Sequence, residues 1–185
     1  MLTLMRDSLS QFPEDNPRDI LSGRLTHAEM AATFLAETKQ WDAAHQLLRS
    51  VVSNDEKNQS GDSDDLMQNY HDFMRAPVIF ANGLAAANKG SSSAQKSIAK
   101  LQAILQEASD KKESVIAGLP MIVKIQILQI EAMISAINNN YDDAIKKMQQ
   151  AITFEESMPP PSGPPPLIKP SHEMFGEILL QAGQP

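Results

Sequence analysis

Between Leu119 and Ile137 the sequence LPMIVKIQILQIEAMISAI is apolar on nearly every side, and a helix of that kind is normally buried among neighbours. It constrains the chain more than any other stretch. After it come three asparagines and then YDDAIKKMQQAI, which reads as a second helix running back along the first. Ile125, Leu128, Ala132 and Ser135 fall three or four apart, as do Tyr141, Ala144, Ile145, Met148 and Ala151, so each set lies on one face. Small residues at Ala132 and Ala144 let the two backbones approach, and Tyr141 can plug the end of the gap. The expectation is a helical hairpin at the centre of the core.

The pattern occurs twice. Ala32 to Ala44 repeats the twelve-residue step of Ala132 to Ala144; Trp41 and Tyr141 each stand three before the second alanine, and Leu48 and Met148 each stand four after it. The turns continue as WDAA and YDDA. This resembles the tetratricopeptide repeat, a helix-turn-helix unit with small residues at its internal contact and an aromatic at its turn. A third pair is looser: Ala85 and Ser97 are again twelve apart with Leu101 beyond, but no aromatic marks the turn. The resemblance implies an all-α fold of antiparallel hairpins stacked as a right-handed superhelix, irregular in repeat length and with long loops. A generic helical bundle is the alternative, because any two antiparallel helices need small residues where they touch.

In chain order, Leu2, Met5, Leu9 and Phe12 predict a short helix ended by Pro13. Asn16 can cap the next, with Pro17 in its first turn and Leu21, Leu25, Ala28, Ala32 and Leu35 on one face; Gly23 weakens it. Its partner runs from Trp41 to about Val52. Residues from Ser53 to Asp65 are polar and acidic without apolar periodicity and predict a surface loop; they lack the ligand spacing of a calcium loop. Leu66, Tyr70, Phe73, Met74, Phe80, Ala81, Leu84 and Ala85 mark a helical stretch that Pro77 should kink or divide. Ile98, Leu101, Ile104 and Leu105 mark the next helix.

At Met158 the composition changes. MPPPSGPPPLIKP holds most of the 12 prolines, so it should be extended and stiff rather than helical. Leu167 and Ile168 within it favour a strap laid on the helices over a ligand for a proline-reading module. SHEMFGEILLQAG is a final helix, expected to be capped by Ser171. The expected division is therefore a hairpin array over 1–157, the strap over 158–170, and over 171–185 the first helix of a further repeat whose second helix is missing. PPSGPPPLIKPSHEMFGEILLQAGQP also resembles a segment that recurs in bacterial tetratricopeptide-like proteins, which suggests a fragment of a longer protein.

Net charge is -7 at pH 7, and the 16 basic residues form no cluster, which argues against a phosphate-backbone footprint and against nucleic acid as a partner. No membrane span and no visible export leader is read in the sequence, so a soluble chain is expected, cytoplasmic by default or periplasmic if a leader has been removed. There is no cysteine, which excludes disulfides and thiolate chemistry. His27, His45, His71 and His172 are far apart, and no phosphate loop, nucleophile elbow or HExxH is present. His172, Glu173 and Glu177 place imidazole and carboxylate near one another on the last helix, where a polar helix start is the commoner explanation. No cofactor is expected. The ten methionines fit core packing better than an adaptable binding surface.

What the resemblance implies is protein binding in a concave groove, not catalysis. Taking the first helix of each hairpin as the wall gives Glu29, Thr33, Ala36 and Glu37 in the first unit, Asn82, Ala86 and Lys89 in the second, and Gln126, Gln129, Met133 and Ile137 in the third. The wall is acidic at one end and apolar at the other, which suits a partner segment carrying basic residues followed by apolar ones. Two other readings stay open: a helical domain of a larger assembly with no ligand of its own, and an enzyme or metal protein whose site is assembled from distant residues.

Overall fold

The computed structural model describes residues 17–44, 47–48, 65–110, 118–160 and 166–184. The expected helix over Leu2–Phe12, the Asn16 cap, nearly all of the Ser53–Asp65 loop and the run 161–165 lie outside them. So do the side chains of Leu21, Tyr70, Phe73 and Met74. Among the described residues the protein is all-helical: α1 Pro17–Thr38, a 3-10 turn Trp41–Ala43, α2 Asp65–Asn88, α3 Ser93–Asp110, α4 Leu119–Ile137, α5 Tyr141–Glu156 and α6 Ser171–Gln181. Of the expected helix after Trp41, only that turn and the helical residues Ala44, Leu47 and Leu48 are described.

Helix α4 is surrounded by α2, α3, α5 and α6. Its buried residues, among them Val123, Ile125, Ile127, Ile130 and Met133, fall on more than one face, which is why its sequence shows no polar side. It is long and apolar enough to cross a membrane, and here that apolar surface is met by protein. Fully burying one isoleucine of this kind is worth about 1.5 to 3 kcal/mol, so α4 supplies much of the drive to fold.

The helices pack with their neighbours in sequence. α1 lies on α2; α2 pairs with α3 and also touches α4; α3 touches α4; α4 pairs with α5; and α6 lies on both α4 and α5. Ala132 of α4 and Ala144 of α5 are fully buried, in two helices that pack on one another, and Ala32 and Ala44 are likewise buried. The turn between α4 and α5 is fixed by Asn139, which takes the left-handed conformation at φ 60°. Its N–H donates to the Ala136 carbonyl at 2.9 Å, and that of Asn140 reaches back to Ser135 at 2.8 Å. These bonds satisfy carbonyls that the helix end would otherwise leave open. Gly90 closes α2 in the same way, at φ 64° with Ser91 N–H on the Ala86 carbonyl, and Gly183 closes α6 at φ 70° with Gln184 N–H on Leu179.

One local expectation is narrowed and another corrected. Of a kink or a division at Pro77, division does not occur: α2 runs unbroken from Asp65 to Asn88 with Pro77 inside. A proline there costs about 3 kcal/mol, but Ala76, Val78, Phe80 and Ala81 around it are buried, and that packing holds the helix together. Ser171 does not cap α6. Pro170 occupies the cap position without a side-chain bond, and Ser171 is the first helical residue. Its N–H donates to Glu155 Oε2 at 2.7 Å, so the open donor at the start of α6 is satisfied by a carboxylate from α5.

Candidate functional site

The ends of α1, α2, α4 and α6 converge around a cavity of about 80 Å³. Ala36, Leu84, Met133 and Met174 give it apolar walls, while Lys39, Asn88, Lys169, Glu177 and Gln181 bring polar groups to it. Trp41 also lines it, placed there by the chain reversal after α1. Lys39 makes that reversal at φ 56°, a left-handed conformation that costs a non-glycine residue about 1 to 2 kcal/mol. On its other side Trp41 borders an open, polar hollow of about 410 Å³, shared with Lys39, Asp42, Asn88 and Lys89. There the Lys89 ammonium donates to Asp42 at 2.6 Å, and that hydrogen bond holds the aspartate below the usual carboxylate range.

The electrostatic centre is Lys169, which lies just before α6 and is only 3% exposed. A buried ammonium needs carboxylates around it. Lys169 has three: its Nζ lies 3.2 Å from Glu37 at the end of α1, 3.2 Å from Glu177 of α6, and in contact with Glu173, also of α6. Burial alone would lower its pKa, but hydrogen bonds to Glu173, Glu177 and Glu37 outweigh that and hold it above the ordinary lysine value. The second oxygen of Glu177 accepts from Lys39 at 3.2 Å. From below, Gln129 of α4 donates to the Lys169 carbonyl at 2.8 Å and to the Ser171 hydroxyl at 3.3 Å.

The wall residues inferred from the sequence fall into separate places. Ala36 and Met133 share the small cavity, Lys89 borders the polar hollow beside it, and Glu37 reaches the same region through Lys169. Ile137 lies on a different hollow, of about 220 Å³, between α4 and the turn after α2. Thr33 and Asn82 are exposed and line none of these three hollows, and Ala86 is half-buried. Gln126 and Gln129 are each 1% exposed, so they present no surface to a ligand; Gln129 is used internally on the Lys169 carbonyl just before α6. Glu29 is half-buried, and that burial raises its pKa above the ordinary glutamate value.

Sequence reasoning passed over Lys39, Asn88, Lys169 and Gln181. Lys169, Glu173 and Glu177 stand at four-residue intervals, the spacing that puts side chains on one helical face, and that signal was open to reading. Their link to Glu37, 132 residues earlier, was not. His172 turns away from Glu173 and Glu177 toward Glu156 at 3.1 Å, so the imidazole and carboxylates imagined together on α6 are separated. No family model, no curated protein and no solved structure matches the chain.

Proposed function

We propose that the chain is a protein-binding scaffold of the tetratricopeptide-repeat kind, taking a partner segment across the face formed by the ends of α1, α2, α4 and α6. The observation that carries this reading is the hollow between those four ends, with an apolar floor and a rim bearing both signs of charge. An apolar floor with a few polar groups at its edge is how proteins hold a side chain of a bound segment. Three further features favour stacked repeats over a generic bundle. Each hairpin packs on the next, α2, α4 and α6 close with the same left-handed turn, and the pair Ala32 and Ala44 recurs as Ala132 and Ala144.

A segment with basic residues followed by apolar ones suits the face, because Glu29 and Glu37 stand on α1 and the hollow beyond them is lined by Ala36, Leu84, Met133 and Met174. The test starts with affinity capture from the source cell to supply the partner, followed by titration of the purified partner segment. Exchanging Glu29 and Glu37 for glutamine should weaken binding about tenfold and flatten its salt dependence, with helicity unchanged. Unaltered affinity and salt dependence would place binding elsewhere.

A further inference from the structure

Lys169 does more than neutralise charge. The helix packed along α1 is α2, and the helices packed along α6 are α4 and α5, so α1 and α6 do not lie along one another. What joins them is ionic: Glu37 to Lys169, Lys169 to Glu177, and Glu177 to Lys39, all at 3.2 Å. The residues before Lys169 complete the attachment. Ile168 is buried, Leu167 is half-buried against the core, and the carbonyl of Lys169 is held by Gln129. The short segment before α6 therefore brings the Lys169 ammonium to the hollow to which we assign binding, with Ile168 anchored in the core beside it.

We propose that Leu167–Lys169 is an internal occupant of that face, a strap latched by Lys169, and that its release frees a subsite for a lysine or arginine side chain of the partner. This rests on the scaffold reading above. Two features make the subsite exchangeable. Glu37 and Glu173 keep 42% and 47% of their side-chain surface exposed, so an incoming cation can reach them while Lys169 is still in place. Three carboxylates face two ammonium groups, Lys169 and Lys39, so the cluster retains an excess negative charge. Pro166 and Pro170 bracket the strap, and such a stiff segment loses little freedom on docking again.

The full chain with Lys169→Gln is to be compared with the unaltered chain by hydrogen exchange. Amides of Ile168 and Lys169 should exchange at least tenfold faster, with those of α4 and α5 unchanged. Glu37→Gln, at a half-exposed position that leaves the strap intact, should shift the same amides in the same direction by less. Unchanged exchange in both variants, or equal acceleration in every helix, overturns the strap and makes the segment ordinary core. A blocked peptide copying Pro166–Ser171 should bind the Ile168→Ser, Lys169→Gln double variant at least tenfold more tightly than the unaltered chain. Replacing its lysine with norleucine should abolish that binding. A loosened strap with no peptide binding overturns the cation subsite, while capture of a partner that depends on Glu29 would still leave the scaffold reading standing. Lysine-dependent peptide binding with no captured partner supports the strap and counts against the scaffold.

Discussion

Gly83 of α2 and Ile130 of α4 are so close that a Cβ built on the glycine would stand 2.5 Å from Ile130 Cδ1 and 3.1 Å from Ser97 Cβ of α3. The missing side chain is what lets three helices meet at one point. Gly83→Ala should improve helix propensity by about 1 kcal/mol, yet overpack a junction where such strain costs about 1 to 3 kcal/mol. A net loss of stability in urea unfolding is expected. Gly176 of α6 is the control: no atom lies within 4 Å of where its Cβ would be, so Gly176→Ala should raise stability. If both substitutions stabilise, α2 and α4 are not in close contact at Gly83.

Ala132 of α4 and Ala144 of α5, both fully buried in helices that pack on one another, give a second test of close approach. Ala132→Leu should force those helices apart at a cost of about 1 to 3 kcal/mol. The shift is read as a lowered thermal midpoint. An unchanged midpoint means that the contact has room for three more carbons and is looser than the buried alanines indicate.

The α4–α5 hairpin was legible because local rules set it. Period and small residues put Ala32, Ala44, Ala132 and Ala144 in the interior, and the absence of a polar face marked α4 as central. The site was less legible, because its parts are joined by tertiary contacts with no sequence period. Nothing near Glu37 signals that its carboxylate will meet Lys169, and the amides of Gln126 and Gln129 look like surface groups until tertiary packing buries both and sets Gln129 on Lys169 and Ser171. That Pro77 leaves its helix undivided has a related cause. Its local cost is real, but burial along α2 outweighs it, and burial cannot be counted from one segment.

Two carboxylates should respond to acid with opposite signs. Asp143 accepts hydrogen bonds from Lys147 and Ser135, in that order of effect, and they hold its pKa below the usual aspartate value. Its contribution is present above the unfolded aspartate pKa and is lost as pH falls through the lower folded one. The stability difference between the unaltered chain and Asp143→Asn should therefore shrink on acidification. Burial raises the pKa of Glu29, so its charged form opposes folding above the folded pKa, and that opposition disappears as pH falls. Glu29→Gln should stabilise the protein at neutral pH and lose that advantage in acid. Chemical denaturation across a pH series measures both, and parallel responses would contradict the assigned environments.

Trp41 is the only tryptophan, is 9% exposed, and stands between the small cavity and the polar hollow. Its indole N–H is buried and meets no acceptor among the described residues. A buried donor without an acceptor adds nothing to stability, so the worth of this side chain lies in the space it fills. Trp41→Phe should then cost far less than Trp41→Ala, for which about 3 to 5 kcal/mol is expected from lost contacts and the resulting void. Urea unfolding followed by far-UV circular dichroism measures both without relying on the tryptophan itself. Equal losses in the two variants would mean that the N–H has an acceptor on which the chain reversal after α1 depends, and the wall between the two hollows would then be held by a hydrogen bond rather than by packing.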